Sequence, residues 1–368
     1  MTDEQLGMPI PSSGAVPARV ERAGSADRKI AVWLPSPMGD AILATPALRA
    51  IRDGFGDAHI SFISNATVRQ VLSPCRFTDA WIDSRQAHAA ATGLKLRAAR
   101  FDLAILFKNS FSSGAAAFVS GAKERIGYAR DGRSLLLTQR IKPPRDSQGA
   151  FAPASMVDYY LTLAREAGCS AEQRSLELAV DEEDVLSVSG KLPAVMSSDA
   201  PVVILVPGGS FGPSKFWPAE RFTRIAERLV EEYGATVVVS IAPNPVEKAV
   251  AGTICSQSRH RLVNLAEYPL SLGELKALFN EAALVITNDT GPRHIAVALG
   301  RKVVSLFGPN DARWTQTGYA DEIQLVGRAD CAPCEKPHCT QERHLCMESI
   351  TVDMVWTAAQ KLIKAGKA

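Results

Sequence analysis

From Leu284 to Phe307 the chain reads LVIT, then NDTGPRHIAVALG, then RK and VVSLF. An apolar run of strand length, a glycine-bearing polar turn, a short helical pattern and a second apolar run make a strand, helix, strand unit, which belongs in an open parallel sheet. Asp289 and Thr290 are N-cap types, and Gly291-Pro292 suits a tight entry to the first helical turn, where His294 falls. Ile295, Val297, Ala298 and Leu299 form the apolar body, and Gly300 suits the C-cap. In such sheets ligands sit at the carboxyl ends of strands, and a helix start offers unpaired N–H groups to an anion. The turn is therefore either an ordinary cap or an anion site.

The same alternation runs along the chain. KIAVWL (29–34), HISFIS (59–64), AWID (80–83), FDLAILF (101–107) and ERIGY (124–128) read as strands separated by helical segments, with Pro46 placed to bend or shorten the first helix. VVILV (202–206), residues 236–241 and residues 262–265 continue the pattern after a polar stretch, with a linker expected near Lys191 to Pro201. Phe222, Ile225, Ala226, Leu229 and Val230 mark an amphipathic helix between Pro218 and Gly234, and Ser271 with Glu274 forms a capping box. The expectation is an α/β chain with two Rossmann-like domains, 29–195 and 196–350, facing across a cleft, and a helix within 351–368.

With 368 residues, 46% of them hydrophobic, the chain can bury two ordinary cores. A net charge of +2 argues against a nucleic-acid-coating protein. No apolar run reaches the roughly 18 residues of a membrane span. Residues 1–28 read as a disordered leader without signal-peptide order, which favours the cytoplasm. Between Lys95 and Arg145, however, eleven Lys or Arg face three acids, a local charge of +8 that suits an acidic substrate or an anionic membrane surface.

Three further features carry chemistry. The loop PGGSFGPSKFWP (207–218) has Gly208, Gly209 and Gly212 to bring N–H groups near an anion and Lys215 as a mobile cation; it is not a Walker A loop, and no GxGxxG follows the first strand. Trp217 reads as a core anchor. Asp40 follows Gly39 at the first strand–helix junction; it is either a first-turn acid or a carboxylate able to take a proton from a hydroxyl, although a helix start lowers its pKa. Cys331, Cys334, Cys339 and Cys346 are spaced C-x2-C-x4-C-x6-C with His338 and His344 between them. A structural zinc or other metal, local disulfides and reduced thiols are all compatible with that spacing.

WLPSPMGDAILATPALRAI, PGGSFGPSKFWPAERF and TNDTGPRHIAVALGRKVVSLFGP, in this order, resemble the lipopolysaccharide heptosyltransferases, the ADP-heptose-using glycosyltransferases of GT-B fold. The resemblance covers residues 29 to 365, and the cysteine segment also looks like a tail of many members. It implies metal-independent, inverting transfer of a heptose from ADP-heptose to the lipid A-core acceptor at the inner membrane surface. The N-terminal domain would hold the acceptor and the C-terminal domain the donor, with the last helix crossing back to the first domain. By motif position Asp40 would be the general base and Lys215 would bind the diphosphate. Gly209, Ser210, Asp289, Thr290, Gly291 and His294 would line the donor pocket, and Glu247 would reach the ribose. Arg293 stands where the family usually has an uncharged residue.

Overall fold

The computed structural model describes residues 28–84 and 89–364. The leader expected at 1–28 therefore lies outside the described residues except for Arg28.

Among the described residues twelve strands form two sheets. In the first half they are β1 (Lys29–Trp33), β2 (His59–Ser64), β3 (Ala80–Asp83), β4 (Leu103–Leu106), β5 (Glu124–Tyr128) and β6 (Gln139–Ile141). In the second half they are β7 (Val202–Val206), β8 (Thr236–Val239), β9 (Val263–Asn264), β10 (Ala282–Asn288), β11 (Val303–Phe307) and β12 (Glu322–Val326). Their orders are β3-β2-β1-β4-β5-β6 and β12-β11-β10-β7-β8-β9, with every pairing parallel. Counted within its own half, each sheet has the doubly wound order 3-2-1-4-5-6. Chain direction away from the centre reverses between β1 and β4 and again between β7 and β10. Those two switch points are where such sheets leave a crevice at their carboxyl ends, and all the sequence motifs except the cysteines lie there.

The central strands are buried end to end, as the continuous apolar runs of VVILV and VVSLF require of a sheet covered on both faces. The first helix ends at Leu43 and a second begins at Thr45, with Pro46 in its first turn. Ser271 and Glu274 form the full capping box, and Gly234, at φ +61°, ends the amphipathic helix Ala219–Tyr233. Trp217 is buried, donates its Nε1–H to Ile350 O at 2.8 Å and meets Phe222 edge to face.

Two segments depart from the sequence reading. The polar stretch carries the helix Glu182–Lys191, and the linker expected near Lys191 to Pro201 contains the short helix Pro193–Met196. The former packs on Leu272–Asn280, where Ser187 and Lys191 both bond to Glu274. The final helix, Val352–Lys364, does not cross to the first half. It lies on β10, β11, β12 and the helix Ala219–Tyr233, because Val355, Trp356, Ala359 and Leu362 belong to the second half's own core.

The halves meet through the helices at their switch points. Met38–Leu43 packs on Gly291–Ala298, and Ala41, Ile42, Ile295 and Ala296 share one buried cluster. On one flank Lys276 reaches across to Ser73 O and to Ala179 O. On the other, Phe151 stacks on Trp314 at 5.3 Å and Ser155 Oγ donates to Gln316 O.

Candidate active site

Lys215 ends the loop that leaves β7, in the turn Pro213–Lys215. It is not the mobile cation expected from the sequence. The side chain is buried, and Nζ donates to Asp289 Oδ2 at 2.6 Å and to Asp289 O at 2.8 Å, with the Phe211 ring 5.0 Å away. An ammonium has three N–H groups, so these two bonds leave one to point elsewhere.

The other oxygen of Asp289 lies 3.6 Å from Arg293 Nη1. Arg293 has no exposed surface. Its Nε and Nη2 grip Glu322 at 2.6 and 3.0 Å, Nη1 donates to Thr315 Oγ1 at 2.8 Å, Nε also faces Ser305 Oγ, and the guanidinium lies over Phe307. Burial pushes the Asp289 and Glu322 carboxyls up, but the cations beside them outweigh it and hold both below the usual range: Lys215 and Arg293 for Asp289, Arg293 for Glu322. The charge that the sequence left without a role is thus an internal clamp. Its donors are spent on protein groups, and it acts by fixing Asp289, which in turn fixes Lys215.

Because Asp289 is committed to Lys215, it does not cap the following helix. Thr290 occupies the N-cap position with φ −149° and ψ 172°, and its side chain makes no capping bond. The helix Gly291–Ala298 therefore starts with no side-chain hydrogen bond capping its N-terminus, which leaves its first N–H groups for an anion to meet. Gly209 faces this start, since a Cβ there would lie 3.6 Å from Thr290. Gly300, at φ +70°, closes the far end with Arg301 N bonded back to Ala296 O.

Asp40 lies in the helix Met38–Leu43, directly after Gly39. A Cβ on Gly39 would lie 3.0 Å from His294 Cδ2, and one on Gly291 would meet Met38 Cε, so the turn carrying Asp40 sits closely on the start of the helix Gly291–Ala298. Among the described residues no cation pairs with Asp40. Burial raises its pKa to about 6, so desolvation outweighs the helix-start effect expected to lower it. His294, buried beside it, is pushed down to about 3 by burial and then by Arg293, and is neutral at ordinary pH.

Of the remaining expected residues, Ser210 is exposed on the loop, while Glu247 is buried behind Gly208. Glu247 accepts from Ala242 N at 2.9 Å and from Asn244 Nδ2 at 3.0 Å, and a Cβ on Gly208 would collide with its Oε2. Asn288, which sequence reasoning passed over, donates to Pro207 O at 2.6 Å and ties the two sides of the switch point together. Asn288 Oδ1 and His294 Nδ1 are buried without a partner. Such orphans cost free energy unless a ligand or water meets them.

Of the metal, disulfide and thiol states that the spacing of the four clustered cysteines leaves open, the structure has them as thiols. Among the described residues no group of three or more His, Cys, Asp or Glu is placed to hold a metal, and all four are free thiols. Cys331 and Cys339 are exposed, whereas Cys346 is buried in the second core. Their segment instead braces the loop of Lys215: Ser214 donates from N to Pro337 O and from Oγ to Lys336 O. Gly212, at φ +149°, passes so close that a Cβ would lie 2.3 Å from Pro337 O. Gly212→Ala is expected to cost about 1–3 kcal/mol through strain and to weaken nucleotide binding, as urea melts and ADP titration would show; unchanged values in both would refute the bracing role.

The chain matches the sequence model of glycosyltransferase family 9 (heptosyltransferase) over residues 90–344. It is 26% identical over 302 residues to lipopolysaccharide heptosyltransferase 2 of Escherichia coli (strain K12), covering 78% of this chain and 84% of that one. It is 23% identical over 346 residues to lipooligosaccharide heptosyltransferase 2 of Campylobacter jejuni (serotype O:2), covering 91% and 98%. The solved structure of E. coli ADP-heptose lipopolysaccharide heptosyltransferase II superposes with a TM-score of 0.75 at 25% identity, over 92% of this chain and 100% of that one. A family match over residues 90–344, more than half of the chain, together with the doubled Rossmann topology, settles the ancestry: this chain belongs to glycosyltransferase family 9, the heptosyltransferases.

Proposed function

We propose that this glycosyltransferase moves a heptose, with inversion, from ADP-heptose to the inner core of lipopolysaccharide. The observation that carries the reading is the meeting of the Asp40 turn with the uncapped donor helix, beside Lys215. An acceptor hydroxyl attacks the anomeric carbon from the first half while the bond to the diphosphate breaks toward the second. Its proton passes to Asp40, and the electron pair leaves with ADP. One displacement inverts the anomeric centre.

Lys215 offers its third N–H to the diphosphate, and Gly209, Ser210, Thr290 and the amides at Gly291 surround the same charge, which grows as the bond breaks. Glu247 is our candidate for the ribose, and His294, neutral, for the sugar. The acceptor would be met at the inner face of the inner membrane, with the enzyme peripheral to it. Among the described residues no helix is long and apolar enough to cross a membrane.

Incubation with ADP-heptose, or with nucleotide hexoses, and a heptose-deficient core acceptor tests the donor. At least about 100-fold preference for ADP-heptose is expected, since a site built around donor hydroxyls rejects analogues strongly. Equal or faster use of a hexose would sink this reading.

The pH dependence follows from Asp40, which works as the carboxylate. With its pKa raised to about 6, kcat/KM should fall tenfold per unit below about pH 6 and level off above. His294, titrating near 3, adds no limb in this range. A profile flat from pH 5 to 8 would remove Asp40 as the base.

A further inference from the structure

The helix Phe111–Val119, FSSGAAAFV, is built inside out. Its buried face consists of Ser113, Gly114, Ala116 and Ala117, the small residues that let it sit close to the sheet and to the neighbouring helix Ala89–Leu96. Its large apolar residues point the other way: Phe111 is 58% and Phe118 53% exposed, seven residues apart and so on one face. An amphipathic surface helix has the opposite polarity, and a helix apolar all round is normally covered. The stripe continues into adjoining elements. Leu135, at the tip of the turn Ser134–Leu136 that packs on this helix, is 84% exposed, and Leu94 on the neighbouring helix is 58% exposed.

Cations frame the stripe. Arg97 and Arg100 are exposed on the turn that follows the neighbouring helix, Lys95 is exposed on the helix itself, and Arg125 lies over the Phe118 ring at 5.3 Å. Not all of the +8 region contributes. Arg133 is fully buried, bonding to Tyr128 O, Lys108 O, Ser113 Oγ and Asn109 Oδ1, and Lys123 is paired with Asp102.

We infer that the exposed face formed by Phe111, Phe118, Leu135 and Leu94, with the basic residues around it, docks this enzyme on an anionic lipid bilayer. Apolar side chains enter the acyl boundary while the arginines and lysines meet headgroup charge, each contributing near the surface and each weakened by salt. A second copy of this chain fits poorly, because a symmetric pairing of this face would set its cations against themselves. The location suits the chemistry. The helix begins at Phe111 just beyond the carboxyl end of β4, which pairs directly with β1, the strand leading to Asp40. A lipid-linked acceptor held on this face has its head beside the cleft. The inference rests on the proposed lipopolysaccharide acceptor for its purpose, but its test does not.

The test uses the full chain and a triple variant, Phe111→Ser, Phe118→Ser and Leu135→Ser, all at exposed positions outside the donor and base machinery. Co-sedimentation is measured with sucrose-loaded vesicles of phosphatidylcholine alone, or with 30% phosphatidylglycerol, and light scattering gives the mass of both proteins. The wild type should bind the anionic vesicles at least ten-fold more tightly than the neutral ones and lose most of that binding in 0.5 M NaCl. The variant should bind them at least ten-fold less tightly, with its circular dichroism and its transfer to a lipid-free core oligosaccharide unchanged. Equal vesicle binding by variant and wild type would overturn the inference, as would a wild-type dimer that ignores vesicles and dissociates in the variant. If vesicle binding behaves as described while no heptose is ever transferred, the docking face stands and the proposed reaction falls.

Discussion

Replacing Asp40 by Asn is expected to lower transfer about 10²–10⁴-fold, the usual contribution of a positioned base, while ADP binding is unchanged and the fold becomes more stable. The last expectation follows from the raised pKa. A carboxyl moved from 3.8 to about 6 favours its protonated form in the folded state. Its contribution is most favourable below the unfolded value, declines as pH rises from about 4 to 6, and is a fixed penalty above that. At about 1.4 kcal/mol per unit, and with partial exposure reducing the effect, Asn should add about 1–3 kcal/mol at pH 7 and nothing below pH 4. Urea melts at pH 7 and pH 4, beside rates of heptosyl transfer, check both halves. A variant that is inactive and also destabilised at pH 7 would mean that Asp40 holds the turn together and is not a carboxylate kept for chemistry.

Arg293→Met should be the most destabilising single change in the second half, at about 3–5 kcal/mol, because it strands Glu322 as a buried carboxylate and leaves Asp289 with Lys215 as its one remaining cation among the described residues. In the wild type both pKa values are depressed, so their stabilisation is present at neutral pH and is lost only as pH falls through the folded values. In the variant the Glu322 carboxyl loses its cation and burial lifts it, while Lys215 still holds Asp289 down, so protonation of Glu322 relieves the penalty. The stability gap between the two proteins should therefore narrow between pH 7 and pH 5. A gap constant across that range would show that Arg293 contributes packing against Phe307 and not charge. Nucleotide binding should weaken with it, since Asp289 is the group that holds Lys215 in place.

The strands and the amphipathic helices were legible because their periodicities are local. VVILV and VVSLF announce buried parallel strands, and Ser271 with Glu274 announces a helix start. β6 and β12, two of the four edge strands, were not read, since partly exposed edges such as QRI and EIQLV carry little apolar signal. At the site, residue type and position picked out Asp40, Lys215 and Asp289 at strand ends, and in the fold Lys215 meets Asp289 while the Asp40 turn packs on the helix that follows it. What they do to one another depended on contacts across long separations. Asp289 looked like a cap because Asp at that position commonly is one; a lysine 74 residues away takes it instead. Arg293 had no legible role because its partners, Thr315 and Glu322, come from segments beyond the next strand. The cysteine spacing left metal, disulfide and thiol open because it is a local signal; among the described residues the thiols are free, and the fold uses the intervening Lys336 and Pro337 carbonyls to hold Ser214.

Single-turnover reaction of the wild-type enzyme with ADP-heptose and a heptose-deficient lipopolysaccharide core tests the central reading most directly, with product linkage read by NMR. One ADP should be released per heptose transferred, with the anomeric configuration inverted, and ADP release and transfer should slow together, about 10²–10⁴-fold, in Asp40→Asn. Release of ADP without a new glycosidic bond, or a product of retained configuration, would contradict it.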